Sequence, residues 1–403
     1  MDRCGVLIVG AGFAGLSLAR TLSAGNANFL VIEKLAVVGG HSFSYLKGDS
    51  RYQIGRHYLG GDTSTLEALG ISTSVFSKRE KKVGAYRGGH IFQYPIRETA
   101  APSDSDQVCG LAKDLSLSFG DTGASFHRNL YSKILNANLS DVFPSAHSPI
   151  RVPAQKESVL DSECGFPSDI IISELHRGLH IEFESELLAI DAQNRVATVR
   201  CKGASRRVRY NYLVFTGPLP CFQPLVGLPQ IGTEAAGVTV LNCAVSEVEP
   251  SWLPYDWVFF DSPTEPITRL GFYKRLPTEA RQRLFVEFNS ERFNASPLVT
   301  GSDVQSFLVK YGCLSSKSTV HDMDLVRLPH AYPIYRVANF EEALLNYKKS
   351  LQQLGIYLLG KYADWKISGG MGASMREGLA LGKYFCSKDE TKITNSTAPQ
   401  AFV

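Results

Sequence analysis

The sequence contains no CxxC pair, and none of its eight cysteines joins histidines at metal-ligand spacing. That excludes a zinc module. With no basic leader and cleavage site at the N-terminus, the cysteines are expected to be reduced and mostly buried thiols of a cytoplasmic protein rather than a disulfide framework. No apolar run reaches the roughly 18 residues needed to cross a bilayer. Lys and Arg (42) barely outnumber Asp and Glu (39), giving a net charge of +3, and they are scattered. No stripe therefore marks a nucleic-acid or membrane surface. There is no internal repeat. With 44% hydrophobic and 20% charged residues, the chain has a globular composition, and its 403 residues suit two or three domains.

What is present is concentrated at the start. Gly5 to Val9 (GVLIV) is a short apolar run suited to a strand buried on both faces. It leads into Gly10-Ala11-Gly12-Phe13-Ala14-Gly15, a GxGxxG, and then into apolar residues at helical spacing over Leu16 to Leu22. A turn at Gly25 to Asn28 precedes a second apolar strand, Phe29 to Ile32, closed by Glu33. Together these read as a βαβ unit. Gly10 permits the tight turn, Gly12 lets the backbone approach a pyrophosphate, and Gly15 allows close packing of helix on sheet. The helix N-terminus offers free N–H groups and partial positive charge to phosphates. Glu33 stands where a carboxylate can accept hydrogen bonds from ribose hydroxyls. The chemistry expected is dinucleotide binding.

Shortly after Glu33 and Lys34 the chain reads Val37-Val38-Gly39-Gly40-His41. An acid followed by a Gly-Gly pair resembles the opening of the amine-oxidase-like flavoproteins, which implies FAD. The segments Tyr52 to Asp62 and Gly88-Gly89-His90-Ile91-Phe92-Gln93-Tyr94-Pro95-Ile96 are similar in order and spacing to UDP-galactopyranose mutase. In that family His57, with Tyr58 beside it, would fall on the histidine next to the flavin. Phe215-Thr216-Gly217-Pro218-Leu219 resembles the mutase Tyr-Thr-Gly-Pro-Ile, a strand end near the cofactor. Leu187 would lie at the adenine end. Gly360-Lys361 and Gly372-Ala373-Ser374 resemble the closing Gly-Arg segment and helix, with Lys361 where arginine is usual.

The resemblance implies an α/β fold: a Rossmann-type FAD-binding domain with the GxGxxG βαβ unit, an inserted helical region and an antiparallel-sheet substrate domain. The FAD-binding domain is expected in three parts, over 1–96, 166–230 and 331–386. An inserted, partly helical region would cover 97–165, the substrate domain 231–330 and a flexible tail 387–403. Periodicity predicts helices over Pro167 to Leu175 and Phe340 to Leu354. It predicts strands over Arg195 to Cys201, Arg207 to Val214, Val238 to Val248, Trp257 to Phe260 and Leu284 to Asn289. Trp252, Tyr255 and Trp257 read as core, and the charges between Lys274 and Arg283 as a solvated turn and helix face.

Three activities stay open. The mutase resemblance implies a reduced FAD that isomerises a nucleotide sugar between pyranose and furanose rings, with NAD(P)H as an external reductant. The partner would be this small-molecule substrate, with no nucleic acid and no membrane span. Arg269, in Pro266-Ile267-Thr268-Arg269-Leu270, matches the mutase Phe-Thr-Arg-Ile and would meet the diphosphate. His57 and Arg151 complete the catalytic set that the resemblance implies, with Tyr94, Tyr335 and Trp365 on the substrate side. Arg151-Val152-Pro153-Ala154-Gln155 resembles Arg-x-Pro-x-Arg, but Gln155 stands at the catalytic arginine. The mutase Tyr and Asp likewise fall near Ile367 and Gly369. Losing a charged donor commonly costs a few kcal/mol in a transition state. A second reading, an FAD-dependent oxidase or dehydrogenase passing hydride from a small molecule to flavin N5, tolerates these departures. A third is an FAD-binding protein without catalysis.

Overall fold

A computed structural model describes residues 1–55, 57–94, 130, 133–134, 136, 158–262, 264–274, 279–295, 297–298, 300–334, 339–366 and 369–388. Arg151, Gln155, Tyr335 and Ile367 lie outside these residues.

The apolar run at the start forms the centre of a seven-stranded sheet. Asp2–Val9 pairs in parallel with Phe29–Ile32 on one side and Ala204–Phe215 on the other. Leu7 and Ile8 are fully buried, as a strand covered on both faces requires. Ala204–Phe215 continues into an antiparallel meander with Val196–Cys201 and Ser185–Asp191. Ile356–Leu358 returns parallel to the end of Ala204–Phe215, and the short Ile181–Glu182 closes the far edge. Helices Phe13–Ala24, Pro167–His176 and Met371–Ser387 bury their apolar sides on one face. Leu219–Val226 and Phe340–Gln353 cover the other. The first and last of these helices meet closely because Gly378 has no side chain: a Cβ there would lie 2.5 Å from the Ala14 carbonyl oxygen.

A second sheet of seven strands runs in the order Val320–Ile334, Glu234–Val245, Gln282–Asn289, Ile267–Phe272, Trp257–Phe260, Val83–Arg87, His90–Gln93. Helix Gly301–Lys310 packs on it through Val304 and Leu308. A reciprocal cap starts that helix: Thr300 Oγ1 accepts from the Asp303 N–H (3.1 Å), and Asp303 Oδ2 accepts from the Thr300 N–H (2.9 Å).

The periodic helices and strands form where the spacing predicts them. Three features differ. The second sheet reaches back to the hairpin at Val83–Gln93, inside the segment expected to belong to the cofactor domain. Glycines at positive φ, Gly88 (57°) and Gly89 (87°), let it turn, and Val83–Arg87 then pairs in parallel with Trp257–Phe260. Ser158–Asp161, in the region read as partly helical, is a strand paired with Ser77–Glu80. Arg283 is not solvated: it is 3% exposed. Its guanidinium donates to the Lys274 carbonyl (3.0 Å) and the Arg51 carbonyl and pairs with Glu279. Trp252 and Trp257 are core, as expected. The cysteines fit their reading only in part. Cys4, Cys243 and Cys313 are buried free thiols, whereas Cys164, Cys221 and Cys386 are exposed, because they stand in a loop and on helix surfaces.

Candidate functional site

Three neighbouring parallel strands end at Val9, Ile32 and Phe215, and all three residues line one cavity of about 690 Å³. A crevice outside the carboxyl ends of parallel strands is where open α/β sheets bind ligands. The glycine turn shapes its floor. Gly10 sits at φ +107°, and a Cβ there would fall 2.3 Å from Thr216 Oγ1. That hydroxyl donates to the Val9 carbonyl (2.9 Å) and so ties two strand ends together. A Cβ on Gly15 would lie 2.0 Å from the Gly10 carbonyl oxygen, so this glycine serves packing and does not line the cavity. Gly12 differs: an added Cβ would meet only the Gly40 Cα, at 4.0 Å.

Most residues expected at a cofactor converge here. Gly10, Gly12, Phe13, Ala14, Gly39 and Gly40 line the middle of the cavity wall. Glu33, Lys34 and Leu187 line it from the ends of neighbouring strands, with Thr216 and Gly217 beside them. His41, His57, Gly360, Lys361 and Ser374 also line it. Glu33 is buried, with Oε2 accepting from the Ala11 N–H (2.7 Å) and Oε1 from the Leu35 N–H (2.9 Å). Each oxygen keeps a lone pair for a further donor.

Other expectations are corrected. Gly372 and Ala373 stand in the first turn of the last helix but do not line the cavity. Tyr58 is held away from it: its hydroxyl donates to Asp256 and accepts from Arg79 (2.9 Å), and its ring stacks on Trp257. Tyr94 is buried against Phe259 in the second sheet, and Trp365 is buried under the first. Arg269 faces Glu287, not the cavity. Its Nε donates to Glu287 Oε2 (2.7 Å), Nη2 contacts the same oxygen, and the guanidinium lies over Trp257 and Phe285. Antiparallel pairing of Arg269 with Glu287 places them side by side.

Sequence reasoning missed Tyr362, His330, Gly370 and Cys221, which line the cavity, and Glu287 close by. The only available signal was the position of Tyr362 directly after Lys361.

Two helices of more than ten residues begin at this cavity, besides the short Leu219–Val226 that starts at Pro218. Phe13–Ala24 starts at Gly12 and Met371–Ser387 at Gly370; neither has a side-chain cap or an acid in its first turn. Their free N–H groups and dipoles thus favour negative charge or electron-rich oxygen in the cavity. His41 stands edge-on to Tyr362, with ring centroids 4.2 Å apart, and its Nδ1 is buried without a hydrogen bond. His57 Nε2 lies 3.1 Å from the Ile54 carbonyl. Burial pushes both imidazoles down to about 4; His57 and Lys361 add to the effect at His41, and Arg269 and Lys361 at His57. Burial likewise brings Lys361 down to about 8, the Glu287 carboxylate opposing this and Arg269 reinforcing it. At neutral pH the histidines are uncharged and the lysine is mostly a cation.

The histidines make the fold acid-sensitive. Their folded values lie below the ordinary 6.5, so the unfolded chain takes up protons first as pH falls. Urea melts should therefore lose stability between about pH 6.5 and 4. The His41→Gln/His57→Gln double variant should lose distinctly less. An equal loss in both proteins would assign the acid sensitivity elsewhere.

Residues 8–69 match the model of an NAD(P)-binding Rossmann-like domain family. No curated protein matches the sequence. Among solved structures, a reduced UDP-galactopyranose mutase superposes with a TM-score of 0.74 at 16% identity, covering 97% of this chain and 98% of that one. Cyclohexylamine oxidase from Brevibacterium oxydans gives a TM-score of 0.63 at 16% identity, over 95% and 98% of the two chains. A fatty acid isomerase from P. acnes gives 0.58 at 13% identity, again over 95% and 98%. Among the described residues no group of His, Cys, Asp and Glu could hold a metal ion, and no helix is long and apolar enough to cross a membrane. The chain has the Rossmann-containing fold that UDP-galactopyranose mutase shares with cyclohexylamine oxidase.

Proposed function

We propose that the chain is an FAD-dependent enzyme, and that it isomerises a nucleotide-activated sugar with the flavin reduced, as the name of its mutase neighbour suggests. The observation that carries the reading is the convergence on one cavity of the glycine turn, two uncapped helix N-termini and the Lys361 cation. The residues present fit FAD. Gly12 and Gly40 leave room that side chains would fill, Glu33 offers lone pairs to a ribose, and His41 Nδ1 is an unused polar atom in the wall. FAD would supply a ring that is nucleophilic when reduced and accepts hydride when oxidised. The helix starting at Gly12 would hold the pyrophosphate. The helix starting at Gly370, with Lys361, would stabilise negative charge at the other end. His41 and His57, neutral at pH 7, can hydrogen-bond there without adding charge.

A footprint tests cofactor placement without activity. Cys221 is exposed and lines the cavity, while Cys164 and Cys386 are exposed and do not line it. Saturating FAD should slow maleimide labelling of Cys221 at least tenfold and leave the other two unchanged, as read by peptide mass spectrometry. Equal labelling with and without FAD would place the cofactor elsewhere.

One observation favours a second reading, hydride transfer from a small molecule such as an amine. Arg269, which a diphosphate clamp would use, is already paired with Glu287 between two aromatic rings. A reaction without a diphosphate leaving group does not need it free.

A further inference from the structure

Lys361 and Tyr362 reach the cavity from a turn that begins at Gly360, after the short strand Ile356–Leu358. The turn is tight. The Asp364 N–H donates to the Gly360 carbonyl (2.9 Å) and the Lys366 N–H to the Lys361 carbonyl (3.0 Å). It is also strained at its far end, where the residue is not a glycine. Gly360 sits at φ +88°, and Trp365, a bulky buried residue, at φ +51°. A non-glycine residue in that region costs about 1–3 kcal/mol and persists only where its surroundings hold it.

What holds it is a cluster of charges behind the cavity wall. Asp364, 5% exposed, meets Lys348 of helix Phe340–Gln353 through Oδ1 (3.0 Å) and Lys366 through Oδ2 (2.6 Å). Lys366 also approaches Glu377 of the last helix (3.6 Å). Burial and Asp364 raise the pKa of the Glu377 carboxylate, and the nearby Gly360 backbone N–H opposes them. Trp365 is thus bracketed by two members of the cluster, and Gly360 lies near a third. Neither Asp364 nor Glu377 lines the cavity. The Lys348–Asp364 pair is buried, while Lys366 is exposed; a buried pair adds little stability compared with apolar replacements, and its attested use is to fix one arrangement.

We infer that Asp364 and Glu377 are positioning residues that fix the strained turn presenting Lys361 and Tyr362 to the cavity, and so set the environment of a cofactor they never touch. This rests on the FAD reading above. The test uses the FAD-loaded protein and the absorbance spectrum of its flavin followed from pH 6 to 10. With Lys361 beside the flavin, the spectrum should titrate with Lys361, below the ordinary lysine range, and Lys361→Met should abolish that titration. Asp364→Asn should loosen the turn, let water reach Lys361 and raise the midpoint, with FAD held at least fivefold more weakly. Glu377→Gln, which keeps the shape but removes the charge facing Lys366, should give a smaller shift in the same direction, and Asp364→Glu should restore part of the loss. Asp261→Asn serves as the control, because it breaks the buried Arg87–Asp261 pair in the second sheet, whose members do not line the cavity. Should Asp364→Asn and Glu377→Gln lower thermal stability as the control does, yet keep the wild-type midpoint and affinity, the cluster is structural only and the inference fails. A midpoint that persists in Lys361→Met overturns it too. Failure of the unaltered chain to bind FAD at all would instead overturn the functional reading beneath it.

Discussion

Replacing Gly12 with valine is expected to leave the fold intact and to empty the protein of FAD. Gly12 has extended backbone, φ −83° and ψ −174°, a conformation open to any residue. An added Cβ would meet no protein atom closer than the Gly40 Cα at 4.0 Å. The valine methyls would instead enter the cavity at the start of helix Phe13–Ala24, where a pyrophosphate must approach the backbone. The expected result is FAD affinity at least a hundredfold weaker, with a urea midpoint close to that of the parent protein without cofactor. Gly15→Val provides the contrast. A side chain there collides with the Gly10 carbonyl, so misfolding rather than selective loss of FAD should follow. A yellow, fully loaded Gly12→Val protein would refute the placement of the cofactor.

The second large effect concerns stability. Arg269→Ala should destabilise the protein by about 3–5 kcal/mol, the usual consequence of removing one partner of a buried ion pair. Its side chain is 16% exposed and that of Glu287 6%, so the carboxylate left behind is nearly dry. Among the described residues its remaining side-chain hydrogen bond is a long one from the Tyr332 hydroxyl (3.4 Å), with the Lys361 cation nearby. Combining Arg269→Met with Glu287→Leu should recover most of the loss, because apolar groups of similar size often replace a buried pair without cost. The double variant also separates stability from function. A folded double variant that has lost at least tenfold in affinity for uridine diphosphate would return Arg269 to the substrate site. One with unchanged affinity would confine it to the sheet. Urea midpoints and a binding titration decide both points.

These residues also mark where the sequence was legible. The βαβ unit could be read because its parts lie within about thirty residues, and each glycine answers to a local steric need. Gly10, Gly12 and Glu33 line one cavity. The helices over 167–176 and 340–353 carried their own periodicity. Arg269 was read as a substrate residue because its neighbours in sequence match a motif. Its actual partner, Glu287, arrives through strand pairing that no local pattern reveals. Tyr58 follows the same logic. It sits beside His57 in sequence, but Asp256 and Arg79, brought together by the second sheet, draw its hydroxyl away. The hairpin at 83–93 belongs to that sheet through pairing with a strand more than 160 residues later, a choice that packing makes and propensity does not. The turn at 360–366 is intermediate. Its Gly-Lys is visible, but the strain at Trp365 and the charges that hold it depend on how the two flanking helices, Phe340–Gln353 and Met371–Ser387, pack against the turn.

The most direct test of the proposed reaction is an anaerobic titration of the FAD-loaded, dithionite-reduced protein with UDP-galactopyranose and related nucleotide sugars, with product analysis. The expected result is a change in the flavin spectrum on binding and a ring-isomerised sugar, with no net oxidation of flavin or substrate. No binding and no isomerised product, together with bleaching of the oxidised flavin by amines or alcohols, would contradict it and establish hydride transfer instead.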